Sequence, residues 1–217
     1  MGAGGGTGGQ GPGAGRGHAR RRRETPAEAR ARRAAVEDPE SVLAAAARLL
    51  ESRHRTVHEV RRRLTDAGYR PDLVDAAVAR LADLGYLDDE EFARAWVASR
   101  DRAHPRGERA LRLELARKGV TREIVDEVLG ERGGEVERRP LQLHGAPDEV
   151  PGRDGVPGSA DDEAACRLLE RRRPTLERIA EPRDRRRRAY ALLARAGFDP
   201  ETASAAAERF VRDQPEE

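Results

Sequence analysis

Three segments of this 217-residue chain share one pattern, and each is built around a glycine. The glycines are Gly68, Gly119 and Gly197. Counting from each of them, apolar residues lie eight and four positions before and six and ten positions after. These apolar residues are Val60, Leu64, Val74, Val78, Leu111, Leu115, Val125, Leu129, Ala189, Leu193, Ala203 and Ala207. A pattern that recurs in this way predicts one structural unit used three times.

Each of these glycines marks the end of a predicted helix. It follows the last apolar residue of a stretch with a period of about 3.6 residues, where helices commonly end in the left-handed conformation that glycine adopts without strain. Helix-start signals follow within three residues in every segment: Pro71 with Asp72, Thr121, and Asp199 with Pro200. Such residues cap a helix or pre-form its first turn. The unit is therefore a helix, a tight turn and a second helix.

Two further segments, Thr56 to Glu59 and Asp88 to Glu91, have the sequence of a capping box and predict additional helix starts. In the helix that the second one opens, Phe92 and Trp96 lie four residues apart. Aromatic residues at this spacing share one helix face, so we expect both in the core of the second unit.

These signals predict an all-α fold, a tandem array of three three-helix repeats with nine helices, elongated and curved. The predicted repeats cover residues 34–86, 87–132 and 161–213. Residues 1–33 are rich in glycine and then in arginine, which predicts a disordered tail. Residues 133–160 are rich in glycine, proline and charge, which predicts a flexible insertion.

Composition supports helices and shows an uneven charge distribution. Charged residues make up 38% of the chain and aromatic residues 3%, which suits amphipathic helices better than a large sheet. The net charge is +6 over residues 1–33, −7 over 34–166 and +7 over 167–195. Arginine supplies every basic side chain except Lys118. Basic charge is thus concentrated in the tail and in the third repeat.

Several classes of protein are disfavoured by the sequence. Apolar runs such as Leu43 to Ala47 are far shorter than the roughly 20 residues that span a membrane. The N-terminus lacks the apolar core of a signal peptide, so we expect a cytoplasmic protein without a membrane association. The single cysteine, Cys166, has no partner for an internal disulfide, and we expect it to be a small buried apolar residue.

No combination of residues predicts catalysis, a metal or a cofactor. His54 and His58 lie four residues apart, but the predicted cap at Thr56 lies between them and would place them on different elements. Phosphate-binding loops, nucleophile elbows and zinc-protease motifs are absent from the sequence. We therefore expect a protein that is not an enzyme.

Several segments resemble the bacterial regulatory protein RecX family. The most specific are Leu84 to Ala93, followed by Trp96-Val97 and Arg100, and Arg106 to Leu115, followed by Lys118-Gly119. Similar segments also run from Arg53 to Leu64 and from Leu193 to Phe198. The resemblance extends from Val42 to Val211 apart from residues 133–160, and it is weakest in the third repeat, where Ala203 and Ala207 replace larger apolar residues.

The resemblance implies tandem three-helix units and a regulatory role without catalysis. It implies binding to filaments of the RecA recombinase on single-stranded DNA, and restraint of ATP hydrolysis, strand exchange and coprotease activity. These activities belong to DNA repair, recombination and the SOS response. We expect a monomer with the RecA filament as its partner, and with single-stranded DNA as a second candidate partner.

Basic residues along the repeats are the candidate contacts to a partner protein or DNA, since repeats would align them along one side of the array. They are Arg61, Arg62, Arg94, Arg100, Arg106, Arg109, Arg112, Lys118, Arg186 and Arg187. The predicted structural residues are Leu64, Gly68, Val74, Phe92, Trp96, Leu115, Gly119, Leu193, Gly197 and Phe198.

Two other functions remain open from the sequence. The protein could bind nucleic acid on its own through the arginine-rich tail and the basic third repeat, and such binding would weaken steeply with salt. Alternatively, the helix pairs could read DNA as helix-turn-helix units. The acidic or mixed charge of the second helices, Asp72 to Leu84 and Arg122 to Leu129, disfavours insertion into the major groove.

Overall fold

The computed structural model describes residues 24–138 and 159–213, and the regular secondary structure in these ranges is entirely α-helical. The ten helices are α1 (Pro26–Ala34), α2 (Pro39–Leu50), α3 (Val57–Ala67), α4 (Pro71–Asp83), α5 (Asp89–Ala103), α6 (Glu108–Arg117), α7 (Arg122–Arg138), α8 (Ala160–Leu176), α9 (Pro182–Ala196) and α10 (Pro200–Arg212). The predicted all-α array of three three-helix repeats is confirmed, with one helix more than expected.

The additional helix, α1, lies inside the segment predicted to be a disordered tail. Thr25 begins it with a capping box, in which its hydroxyl accepts the Glu28 N–H at 3.2 Å and the Glu28 carboxylate accepts the Thr25 N–H at 2.8 Å. Pro26 occupies the first helical position. The prediction is wrong for residues 26–33, because these local signals and packing on repeat 1 order a segment without apolar periodicity. Residues 1–23 of the predicted tail lie outside the described residues.

The boundaries of the predicted insertion also differ. Helix α7 continues to Arg138, six residues into the segment predicted to be flexible. Ser159 caps α8 through a capping box with Asp162. The remainder of the predicted insertion, residues 139–158, lies outside the described residues.

Each repeat has its own apolar core. Helices α2, α3 and α4 enclose the core of repeat 1, α5, α6 and α7 that of repeat 2, and α8, α9 and α10 that of repeat 3. The predicted structural residues Leu64, Val74, Phe92, Leu115, Leu193 and Phe198 are all buried in these three cores. Trp96 is half-buried and packs against the second core, and Cys166 is half-buried where we expected a buried residue.

Of the three glycines in the repeated pattern, Gly119 and Gly197 lie where one repeat meets the next, and Gly68 lies against α1. Gly68, Gly119 and Gly197 have φ angles of 101°, 81° and 90°, respectively. A Cβ atom added to Gly119 would overlap the side chain of His58 at the start of α3, and one added to Gly197 would overlap Ala110 at the start of α6. We call these contacts the first junction, between repeats 1 and 2, and the second junction, between repeats 2 and 3.

At each junction, the carbonyl group of the residue before the glycine has no partner within its own helix. It accepts a hydrogen bond from the neighbouring repeat instead. The Thr56 hydroxyl donates to the carbonyl oxygen of Lys118 at 2.6 Å, and the Gly107 N–H donates to that of Ala196 at 3.2 Å. Thr56 and Gly107 are the N-cap residues of α3 and α6. The end of one middle helix is therefore bonded to the start of the previous one.

An aspartate completes each junction in the opposite direction. The N–H of Val57, the first residue of α3, donates to Asp89 of α5 at 2.9 Å. In the same way, the N–H of Glu108, the first residue of α6, donates to Asp161 of α8 at 3.0 Å. Each repeat thus caps the middle helix of the repeat before it.

Helix α1 takes the place of a preceding repeat at the N-terminal end. A Cβ atom added to Gly68 would overlap Arg30, and the Arg33 guanidinium donates to the carbonyl oxygen of Ala67 at 3.2 Å. These contacts reproduce two features of the junctions. Repeat arrays need such terminal caps because an end repeat otherwise exposes a surface made for a neighbour.

The junction glycines should be much less tolerant of substitution than a glycine with the same backbone but no neighbour. Replacement of Gly119 or Gly197 by alanine should lower the free energy of unfolding by about 2–4 kcal/mol, from backbone strain and overlap together. Gly85 is the matched control, because its φ is 73° but nothing lies within 4 Å of an added Cβ atom. Gly85→Ala should cost about 1–2 kcal/mol. Urea denaturation measures both, and equal losses would contradict the role assigned to the junctions.

Candidate partner-binding surface

Trp96 connects α5 to α6 at the edge of the second core. Its indole N–H donates to the Glu114 carboxylate at 2.9 Å, and the Arg100 guanidinium donates to the same oxygen at 2.7 Å. The Arg100 guanidinium also lies over the indole, 4.4 Å from the ring centroid, and the Phe92 ring stacks 5.9 Å away. One carboxylate, one indole and one guanidinium thus hold two helices together.

The same cluster continues across the first junction. The Lys118 ammonium lies 5.1 Å from the Trp96 ring centroid and 3.5 Å from the Glu59 carboxylate, which also pairs with Arg53 at 3.1 Å. Burial opposes the charge on Glu59, whose side chain is 8% exposed, but Arg53 and Lys118 outweigh this effect and lower the pKa of Glu59. Thr56 caps α3 as predicted, but the Glu59 carboxylate bonds to these cations and does not close the expected capping box.

Three of the predicted contact residues therefore have structural partners. Arg100 and Lys118 bond to carboxylates and the indole within the protein, and Arg106 lies 3.7 Å from Glu114. These three cations come together around Glu114 and the first junction. Trp96 belongs to this polar cluster as much as to the apolar core.

Other predicted contact residues form exposed ion pairs on the surface of their own repeats. Arg61 pairs with Asp75 at 2.9 Å, Arg94 with Glu131 at 3.0 Å and with Glu90, and Arg112 with Glu108 at 2.6 Å and with Asp126. In repeat 3, Arg186 pairs with Glu208 at 3.0 Å and Arg187 with Asp184 at 3.2 Å. Such exposed pairs are weak, so the side chains can exchange these partners for others.

Arg62 and Arg109 differ from these residues. Both are exposed, and neither has an ion-pair partner among the described residues. They are the two predicted contact residues whose charge is not balanced within the part of the chain that the structure describes.

One ion pair recurs in repeats 1 and 2 and is replaced in repeat 3. Arg61 and Asp75 lie seven residues before and after Gly68, and Arg112 and Asp126 have the same relation to Gly119. At the corresponding positions, repeat 3 has Tyr190 and Ser204. These two residues line a depression of about 350 Å³ together with Arg183, Arg186 and Arg187. At these positions, the third repeat thus has an exposed aromatic ring among arginines in place of an ion pair.

A buried arginine that is absent from the predicted contacts holds the second junction. The Arg132 side chain is 7% exposed and bonds to Asp101 and Asp161, both at 2.6 Å. Burial opposes its charge, but the two aspartates outweigh this effect and raise the pKa of Arg132. Burial also raises the pKa of Asp161 in spite of the Glu108 N–H and Arg132. The sequence held one clue to this junction: Asp161 lies in the first turn of repeat 3, as Asp89 lies in the first turn of repeat 2.

No group of three or more histidine, cysteine, aspartate or glutamate side chains in the described ranges could hold a metal ion. His54 lies in the connection before α3 and His58 lies within α3, so they are on different elements as predicted. Among the described helices, none is both long and apolar enough to cross a membrane.

Removal of the buried arginine should destabilise the protein far more than removal of an exposed one with the same number of partners. Arg132→Met leaves two carboxylates without their cation and should lower the free energy of unfolding by about 3–5 kcal/mol. Arg94→Met is the control, because Arg94 is 46% exposed and also pairs with two acids, and it should leave the free energy of unfolding almost unchanged. Similar losses in chemical denaturation would show that Arg132 is not structurally special.

Glu59 should make the stability depend on pH. Its pKa is lowered from an ordinary value of 4.5, so its charged form stabilises the fold above pH 4.5, and this contribution is lost as the pH falls through the lowered pKa. Glu59→Gln should therefore cost about 2 kcal/mol at pH 7 and progressively less below pH 4.5. Glu127→Gln, an exposed change of the same kind, is the control. A pH-independent difference between Glu59→Gln and the unmodified protein would contradict this role.

Models of three protein-family domains match the chain. They are described as the first, second and third three-helix domains of RecX, and they match residues 43–81, 88–129 and 160–207. A curated relative, the regulatory protein RecX of Mycolicibacterium vanbaalenii, is 33% identical over 185 residues, which cover 80% of this chain and 87% of the relative. The regulatory protein RecX of Mycobacterium avium is 44% identical over 91 residues, which cover 42% and 52% of the two chains.

Two solved structures share the fold. The crystal structure of RecX from Lactobacillus salivarius matches with a TM-score of 0.61 and 17% identity, over 80% of this chain and 96% of that one. A crystal structure of regulatory protein RecX matches with a TM-score of 0.58 and 18% identity, over 87% and 75%. The helical array, the three matched domains and the near full-length relative agree: the chain belongs to the RecX family of regulatory proteins.

Proposed function

We propose that this protein binds RecA filaments assembled on single-stranded DNA and modulates them, with inhibition of ATP hydrolysis, strand exchange and coprotease activity as its main effect. Membership of the RecX family is the observation that carries the proposal, since the resemblance to this family implies RecA as the partner. In this proposal the protein acts in the cytoplasm as a monomer, without catalysis of its own, in DNA repair, recombination and the SOS response.

The junctions support this role physically. A filament presents the same surface at regular intervals, and a repeat array can contact several of these surfaces at once if its own repeats are held at fixed spacing. Hydrogen bonds from Thr56 and Gly107, and the aspartate caps from Asp89 and Asp161, fix that spacing. Several weak contacts in one array then add up to high avidity.

The charge distribution favours a protein partner for the first two repeats. The first two repeats, residues 34–132, have a net charge of −2, whereas residues 167–195 of the third have +7, so the first two attract bare DNA much less than the third. Arg62 and Arg109 are exposed and unpaired within the described ranges, so a partner carboxylate would meet a free guanidinium at each of them. They are our first candidates for filament contacts.

The second candidate function is independent binding of single-stranded nucleic acid by the third repeat. The depression around Tyr190 favours it, since a tyrosine ring can stack on a base while Arg183 and Arg187 contact phosphates. Such binding would require no RecA and would weaken steeply with salt.

The decisive measurement is ATP hydrolysis by RecA on single-stranded DNA as this protein is added. We expect the rate to fall with increasing protein. The variant Arg62→Glu with Arg109→Glu should need about ten times more protein for the same effect, because each reversal replaces an attraction by a repulsion. The control variant reverses Arg48 and Arg80, which are also exposed and have no ion-pair partner in the described part of the chain. It should behave as the unmodified protein does.

An unchanged rate of hydrolysis at every protein concentration would contradict the proposal. The second candidate function would be established in its place by three results together. The protein would bind labelled oligodeoxythymidine without RecA, Tyr190→Ala and salt would each abolish this binding, and the rate of hydrolysis would be unchanged.

A further inference from the structure

The second junction contains an open groove of about 400 Å³. It lies between the connection from α5 to α6 and the helices α8 and α9. Leu168 and Leu192 contribute apolar surface, and Arg106, Arg171, Arg172 and Arg195 contribute positive charge. No acidic residue lines this groove, although the chain as a whole contains 40 aspartate and glutamate residues.

The equivalent place at the first junction is filled. Trp96 lies seven residues after the capping residue Asp89, as Leu168 lies seven after Asp161. Glu114 lies five residues before Gly119, and the residue five before Gly197 is Leu192. The indole and carboxylate that bond to each other at the first junction are therefore both replaced by leucine at the second.

Because the second junction has no counterpart of Glu114, the arginines beside it lack an acidic partner. Arg100 at the first junction donates to Glu114, whereas its counterpart Arg172, eleven residues after Asp161, is exposed and has no ion-pair partner among the described residues. Arg195 is exposed and likewise unpaired within the described part of the chain. Arg171 is held in place by donating to the carbonyl oxygens of Arg102 and Ala103 at the end of α5.

We propose that the groove at the second junction binds an acidic segment of a protein partner, with an aromatic or large apolar side chain against Leu168 and Leu192 and a carboxylate at Arg172 and Arg195. The first junction shows that an indole beside a carboxylate fits this environment. The inference deepens the proposed function and rests on it for the identity of the partner, but the groove can be tested without that partner.

The lining favours a peptide over a nucleic acid. Single-stranded bases bind by stacking on large aromatic rings, and no phenylalanine, tyrosine or tryptophan lines this groove. Its apolar surface is aliphatic, which suits an inserted side chain of a protein. Tyr190, an exposed ring among arginines, lines the separate depression between α9 and α10.

The test uses a fluorescein-labelled peptide of eight alternating glutamate and tryptophan residues and fluorescence anisotropy with the full-length protein. We expect saturable binding that is at least about tenfold weaker for Arg172→Glu with Arg195→Glu, since both carboxylate partners become repulsive. The variant Arg48→Glu with Arg80→Glu carries the same change of charge in repeat 1 and should bind as the unmodified protein does. Peptides with glutamine for glutamate, or alanine for tryptophan, should each bind more weakly.

A second variant fills the groove from within. Leu168→Trp with Leu192→Glu recreates the pair found at the first junction, and it should abolish peptide binding without lowering the melting temperature. Equal binding of the peptide to the unmodified protein and to Arg172→Glu with Arg195→Glu would overturn the inference. So would the absence of peptide binding, or a groove that binds labelled octadeoxythymidine in place of the peptide. If the peptide does not bind but ATP hydrolysis by RecA still falls when the protein is added, the groove inference is wrong and the proposed function stands. If the peptide binds but ATP hydrolysis by RecA is unchanged, the groove inference stands and RecA is not the partner.

Discussion

The contact between a left-handed glycine and the start of the preceding middle helix is the constraint on which the array depends. At Gly119 and Gly197 the backbone must turn with positive φ, and no space exists for a side chain. The turn also presents the carbonyl group before the glycine to Thr56 or Gly107 of the previous repeat. A helix end that would otherwise need water is thereby satisfied by protein, and the spacing between repeats follows from the length of these hydrogen bonds.

The junctions share this backbone scheme but differ in side-chain chemistry. The first contains a network of Glu59, Lys118, Trp96 and Glu114, and the second contains Arg132 with its two aspartates and, beside them, an open arginine-lined groove. Because the backbone contacts hold the repeats together, the side chains around them are free to diverge. Divergence between repeats is thus where new binding surfaces can arise without a change of fold.

Helix limits were predictable from sequence because they depend on neighbours in the chain. Thr56, Asp88 and Asp199 cap their helices as expected, and the glycines end theirs. The partners of charged side chains were not predictable, because they come from distant positions: Glu59 bonds to Lys118 and Arg132 to Asp161, across 59 and 29 residues. Helix α1 was missed although its start signals, Thr25, Pro26 and Glu28, are local, because the segment has no apolar periodicity and its packing on Ala67 exists only in the folded chain.

Apolar periodicity and the three glycines suffice, by themselves, to specify an α-helical array, because helix limits depend on local geometry repeated along the chain. The resemblance to a family came instead from particular segments, above all Leu84 to Ala93 and Arg106 to Leu115. Which arginines remain available to a partner depends on the packing of repeats against each other. In a chain with 42 basic and 40 acidic residues, almost every cation has a possible acid, and proximity in the fold selects the pairs that form. In the folded chain, Glu114 balances the charge of Arg100, and the side chain of Arg132 is buried. Arg62, Arg109 and Arg172 have no ion-pair partners in the described ranges.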